Sequence, residues 1–189
     1  MTSIATDFRT LTGTYTLDPA HSRIGFVARH AMVTKVRGAF NEFEGSTVID
    51  GDDPSKSSVQ LTVQVDSVDT RNAQRDDHLR NNDFLDADTY PTITFASTAV
   101  AHDGGTDFQV TGDLTIKDVT KSVTIPLEFT GAAQDPFGND RIGFEGSLVI
   151  NRKDWGVSWN AALEAGGVLV SEKITLEFEI SAIRHSEKI

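Results

Sequence analysis

The sequence predicts an all-β fold: one antiparallel barrel of about eight strands, closed at one end by a short capping helix at about residues 72–82. Three observations carry that expectation. Apolar and polar residues alternate at period two through stretch after stretch, as in an antiparallel sheet with one buried face. Turn chemistry separates the stretches, in DGDDPSKSS at 50–58, HDGG at 102–105 and AAQDPFGN at 132–139. Three glycines, Gly38, Gly112 and Gly146, sit mid-strand on the apolar parity, where they permit sharp coiling or leave room for another group. This favours a closed barrel over a flat sandwich. An eight-stranded barrel is just wide enough to be filled by side chains or to hold one ligand.

The elements follow in order. Residues 1–13 read as a loosely tied N-terminal extension. The barrel domain spans 14–183, and 184–189 are a C-terminal tail. Thr14–Leu17 is a short extended start. In Ser22–His30, Ile24, Phe26, Ala28 and His30 share one parity. Lys35–Phe40 alternates likewise, and Phe43–Ile49 continues past a bend. Val59, Leu61, Val63 and Val65 alternate with Gln60, Thr62 and Gln64, giving one dry and one wet face.

The segment SVDTRNAQRDDHLRNNDFLDADTYPTITF at 67–95 breaks the alternation. Thr70 and Asn72 offer N-caps, and AQRDDHLRNN reads as a helix closed by Asn81 and Asn82. Asp76 precedes Arg80 by four residues, the favourable order for an exposed helical ion pair. Arg75, His78 and Leu79 share one helical face. Beyond it, Ile93 and Phe95 resume the alternation. Phe108–Ile116, Val123–Phe129, Ile142–Ile150 and Ile174–Ile180 give the remaining strands, and 151–171 is irregular and carries both tryptophans.

A single domain suits a chain of 189 residues. The net charge of −11 argues against a nucleic-acid surface. With no cysteine, disulfides and thiolate metal sites are excluded. The five histidines form no HExxH or HxH motif, so no metal or other cofactor is expected. No apolar run reaches the roughly 18 residues of a membrane span. The opening residues lack the charged and apolar regions of a signal peptide, which leads to a cytoplasmic expectation.

Several motifs together resemble one family. They are Asp18-Pro-Ala-His21-Ser22 with Phe26 and His30; Arg37-Gly38-Ala-Phe40 with Phe43 and Gly45; the 67–95 segment; Gly112-Asp-Leu114-Thr115 with Val119-Thr-Lys121; and Asn151-Arg152-Lys-Asp154-Trp155-Gly156. Over about residues 14–183 the chain resembles the YceI-like family, lipocalin-like barrels that bind polyisoprenoids and related amphipathic lipids. Two positions depart from the family pattern, Asp118 where a glycine is expected and Ser122 where a proline is, and both bear on a local turn. The family's best-known members are exported to the periplasm, a location not carried over to this chain.

The resemblance implies a cavity open at one end and lined by the apolar parity set: Phe26, Phe40, Leu61, Val63, Phe95, Val110, Leu114, Ile116, Ile125 and Phe144. His30, on the parity of Phe26, reads as a hydrogen-bonded interior residue of that lining. Trp155 or Trp159 is expected at the entrance, with Arg75, His78 and Leu79 beside it. Arg75 and His78 could grip a head-group phosphate or simply tie the helix to loop backbone. The acidic run Asp76, Asp77, Asp83, Asp86 and Asp88 reads as a solvated face that would repel a pyrophosphate.

The functional expectation is binding, sequestration or transport of an isoprenoid or other long amphipathic lipid, a polyprenyl diphosphate or a quinone-like molecule, without catalysis. Two alternatives stand beside it. One is an enzyme acting on a small amphipathic substrate at the helix-capped end. The other is a side-chain-filled barrel acting as an interaction module, as a homodimer through strand edges.

Overall fold

The structure, a computed structural model, describes residues 7–164 and 166–186. Its strands are β1 (Gly13–Leu17), β2 (Arg23–His30), β3 (Thr34–Phe40), β4 (Phe43–Ile49), β5 (Ser58–Gln64), β6 (Val68–Asp69), β7 (Thr92–His102), β8 (Asp107–Ile116), β9 (Val119–Gln134), β10 (Asp140–Asn151) and β11 (Lys173–Arg184). The helix α1 is Ala73–Arg80. Every pairing is antiparallel, in the order β1-β4-β5-β7-β8-β9-β10-β11, and β11 returns to β1 to close an eight-stranded barrel.

Closure depends on one bend. The edge of β11 is covered first by β1, with Leu17 opposite Ala182, and then by β2, with Ile24 opposite Phe178. Between them Asp18 caps a 3-10 turn at Pro19–His21, its carboxylate accepting from the Ala20 N–H at 3.1 Å. β3 and β4 make the matching bend, so β1–β2 and β3–β4 act as two long kinked strands. β6 adds to β3 at the rim.

The mid-strand glycines mark close approaches. A β-carbon at Gly38 or Gly112 would overlap the ring of Phe26 or Phe95 respectively, so each glycine seats an aromatic ring. At the β8–β9 turn, Lys117 and Asp118 both adopt positive φ, 51° and 61°. That is the two-residue hairpin geometry glycine usually supplies, and Asp118 adopts it here.

Several expectations are corrected. Residues 8–11 are not loosely tied: they form a 3-10 turn in which Leu11 is buried. The helix, by contrast, falls where expected: Ala73–Arg80 lies within about 72–82, with Asn72 as N-cap accepting from the Arg75 N–H at 2.9 Å and Asn81 as C-cap. Asp76 is buried, not solvated, and makes no pair with Arg80. Its carboxylate accepts from the Thr70 N–H at 2.8 Å and the Thr70 hydroxyl at 2.6 Å. Arg80 pairs instead with Asp77 at 2.9 Å. An internal backbone N–H in need of an acceptor outcompetes a surface ion pair, which is worth little.

Candidate functional site

Alternation sends one side of every barrel strand inward, and these side chains do not fill the middle. They enclose a cavity of about 190 Å³. A dry, apolar engineered cavity of roughly 150 Å³ already takes up benzene, so this hollow can hold an apolar group. Of the residues singled out from sequence, Phe40, Leu61, Val63, Phe95, Val110, Leu114, Ile116, Ile125 and Phe144 line it. Ile24, Ile93, Val100, Phe108, Leu127, Phe129, Ile142, Leu148, Leu176, Phe178 and Ile180 are among the other strand residues of the wall. Most of these were legible in the same alternating sets. Phe8 and Leu11 also line the cavity, and no strand pattern signals them.

The wall is almost wholly apolar. Among the described residues no lysine, arginine or histidine lines it. Thr47 spends its hydroxyl on the Ser58 carbonyl at 2.8 Å. Asp50 stands at one end and turns its carboxylate to the N–H groups of Asp52 and Asp53, at 3.0 and 2.9 Å. Among the described residues no buried side-chain nitrogen or oxygen lacks a partner, and no group of three or more His, Cys, Asp or Glu is placed to hold a metal ion. The arrangement can hold an apolar chain by dispersion and desolvation. No polar group aimed into its middle would anchor a charged one.

The remaining predicted residues lie elsewhere. Phe26 packs over Gly38 against Phe40, ring centroids 5.6 Å apart, and stays outside the cavity wall. His30 is exposed, because β2 and β3 run past the barrel rim there. Arg75 is turned onto the helix entry, donating to the Thr70 hydroxyl at 2.7 Å and carbonyl at 2.6 Å. His78 pairs with Asp83 at 2.9 Å and sits edge-on to Phe84 and Trp159, centroids 4.9 and 4.7 Å away. Leu79 packs against the cluster beneath the helix and does not reach the cavity.

Trp155 is not at an entrance. It is 3% exposed and donates its indole N–H to the Leu114 carbonyl at 3.0 Å. With Phe84 and Val157 it packs the helix end solid. Arg152, also buried, clamps that end. It donates to the carbonyls of Val157, Ser171 and Val170 at 2.6, 2.8 and 3.3 Å, and its burial lowers its pKa. The opposite end is covered by the Phe8–Leu11 turn and the Asp50–Pro54 loop.

Comparison with known proteins shows the family and the fold. The profile of the YceI-like domain matches residues 15–182. A UPF0312 protein of Pseudomonas aeruginosa is 39% identical over 164 residues, 87% of this chain and 82% of that protein. A UPF0312 protein of Staphylococcus aureus is 37% identical over 169 residues, 89% of this chain and 95% of the relative. Among solved structures, Burkholderia cenocepacia BcnA superposes with a TM-score of 0.77 at 29% identity, covering 87% of this chain and 98% of its own. A polyisoprenoid binding domain from Saccharophagus degradans, implicated in plant cell wall breakdown, shares the fold with a TM-score of 0.68 at 16% identity, covering 90% and 98%.

Proposed function

This chain belongs to the YceI-like domain family, and from that premise we propose that it binds an isoprenoid or similar long amphipathic lipid inside the barrel. It sequesters or carries that lipid and does not transform it. The observation that carries the reading is the cavity itself: an unfilled interior whose wall is apolar on every strand. The fold neighbour described as polyisoprenoid-binding names the ligand class to try first.

The energetics suit such a ligand. Each buried CH₂-sized group contributes about 0.8 kcal/mol, and a cavity of about 190 Å³ covers only part of a prenyl tail, so the gain is a fraction of the ~16 kcal/mol that burying ~20 carbons would give. Lost translation and ordering of a flexible tail offset much of this. A longer chain extends beyond the cavity and leaves part of its length outside. With no cation on the wall among the described residues, affinity comes from the tail and the head group contributes little, which favours an uncharged quinone-like or alcohol head over a diphosphate.

Native mass spectrometry of the purified protein tests this. The expected result is a co-purified hydrophobic species, or one-to-one uptake of added geranylgeraniol. A clean apo mass with no uptake would sink the proposal.

A further inference from the structure

The cavity has two ends, and they are built very differently. At the helix end the seal is a packed core: Trp155, Phe84 and Val157 are buried, and Arg152 is bonded to three carbonyls. Opening it means breaking the interior of the protein.

At the other end the wall is the 3-10 turn Phe8–Leu11. It belongs to no strand; the ladder begins only at Gly13, opposite Ile49. Among the described residues its polar ties to the barrel run through three groups. Arg184 donates to the Thr10 carbonyl at 2.7 Å, the Tyr15 hydroxyl to the Leu11 carbonyl at 2.9 Å, and the Gly51 N–H to the Thr12 hydroxyl at 2.9 Å. The rest of its hold is side-chain packing, which includes an edge contact of Phe8 with the His102 ring at 5.4 Å between centroids. Phe8 lies edge-on to Phe108 and Phe129, each with centroids 5.4 Å away, and both of those rings line the cavity.

The turn also has a shaped seat. A β-carbon on Gly51 would overlap the Phe8 carbonyl oxygen and lie 2.7 Å from the Arg9 α-carbon. Glycine at 51 therefore lets the turn lie down onto the barrel end. The family profile matches from residue 15, so this wall is supplied by residues outside the matched segment.

We infer that the Phe8–Leu11 turn is the movable wall of the cavity: lipid enters and leaves past Phe8 and Leu11, and the helix end stays shut. The inference rests on the cavity being the lipid site. Moving the turn breaks few hydrogen bonds and uncovers two apolar side chains, which a bound lipid tail can cover in turn. Motions of this kind gate exchange without altering the site they cover.

The test is the release rate of radiolabelled geranylgeraniol from the full chain after dilution into excess unlabelled lipid, with circular dichroism confirming the fold of each variant. Gly51→Leu wedges the turn off its seat, and Phe8→Ser/Leu11→Ser removes its apolar hold. Both are expected to release about tenfold faster or more, whereas Trp159→Leu at the helix end keeps the wild-type rate. Wild-type rates in both N-terminal variants, or acceleration confined to Trp159→Leu, would overturn the inference and leave lipid binding standing. A wild type that takes up no lipid removes the binding proposal and this inference with it.

Discussion

The ring of Phe26 occupies the space a β-carbon on Gly38 would need, and the two residues face each other across β2 and β3. Phe26 cannot easily retreat, because its ring already packs on Phe40. Gly38→Ala should therefore cost about 1–3 kcal/mol, the usual range for overpacking, read from urea unfolding. Phe26→Leu in the same chain should recover part of that loss, since the pair is in contact and its effects do not add. Additive losses would mean that Gly38 is needed for strand coiling and not as a seat for the ring.

Phe144 tests whether the middle is hollow. It lines the cavity and stands edge-on to Phe129, centroids 5.5 Å apart. Phe144→Trp adds ring atoms that the vacant space can accept, so the stability change should stay below the ~1–3 kcal/mol typical of overpacking a filled core. Geranylgeraniol uptake should fall at least about tenfold, because a pocket that buries most of its ligand loses volume the tail needs. A large loss of stability with uptake unchanged would point to a solid core and a surface role.

Trp155 makes the complementary prediction at the closed end. Trp155→Phe removes the bond to the Leu114 carbonyl, a loss of about 1 kcal/mol. Trp155→Ala opens a hole in the plug and should cost about 3–5 kcal/mol. The stability order wild type, Phe, Ala is checked by denaturant titration. Equal stability of the Phe and Ala variants would show that the ring's bulk plays no part in the seal.

The strands and most of the cavity wall were legible in the sequence because period-two alternation reports a buried sheet face directly. Parity puts Phe40, Val110 and Ile125 on the wall of the cavity that the resemblance implies, and they line it. Parity failed where a strand leaves the barrel: His30 has the inward parity of Ile24, yet no opposite wall remains at the rim to bury it. It was also blind to Phe8 and Leu11, whose part in the wall follows from where the chain start is folded back. Asp76 was misread for a related reason. A charge pattern on a helix does not reveal that a loop N–H, here that of Thr70, awaits an acceptor beneath it.

Arg141 gives the pH-dependent prediction. Its guanidinium bridges Asp18 at 2.7 Å and Asp135 at 2.8 Å, joining the β1–β2 bend to the β9–β10 turn. Hydrogen bonding to Arg141 is the leading cause that lowers both carboxylates, Asp135 far below its ordinary 3.8. A carboxylate whose folded pKa is depressed stabilises the fold above its unfolded pKa and loses that contribution as pH falls through the folded value. Arg141→Gln should therefore lower the Tm by a few degrees at pH 7. The gap from wild type should hold down to about pH 4, then narrow steadily in more acidic solution as the two carboxylates protonate. Thermal melts of both proteins between pH 7 and pH 2 measure it. A gap of constant size across that range would mean that Arg141 contributes through packing and its bond to Ser181, not through the charge it shares between the two loops.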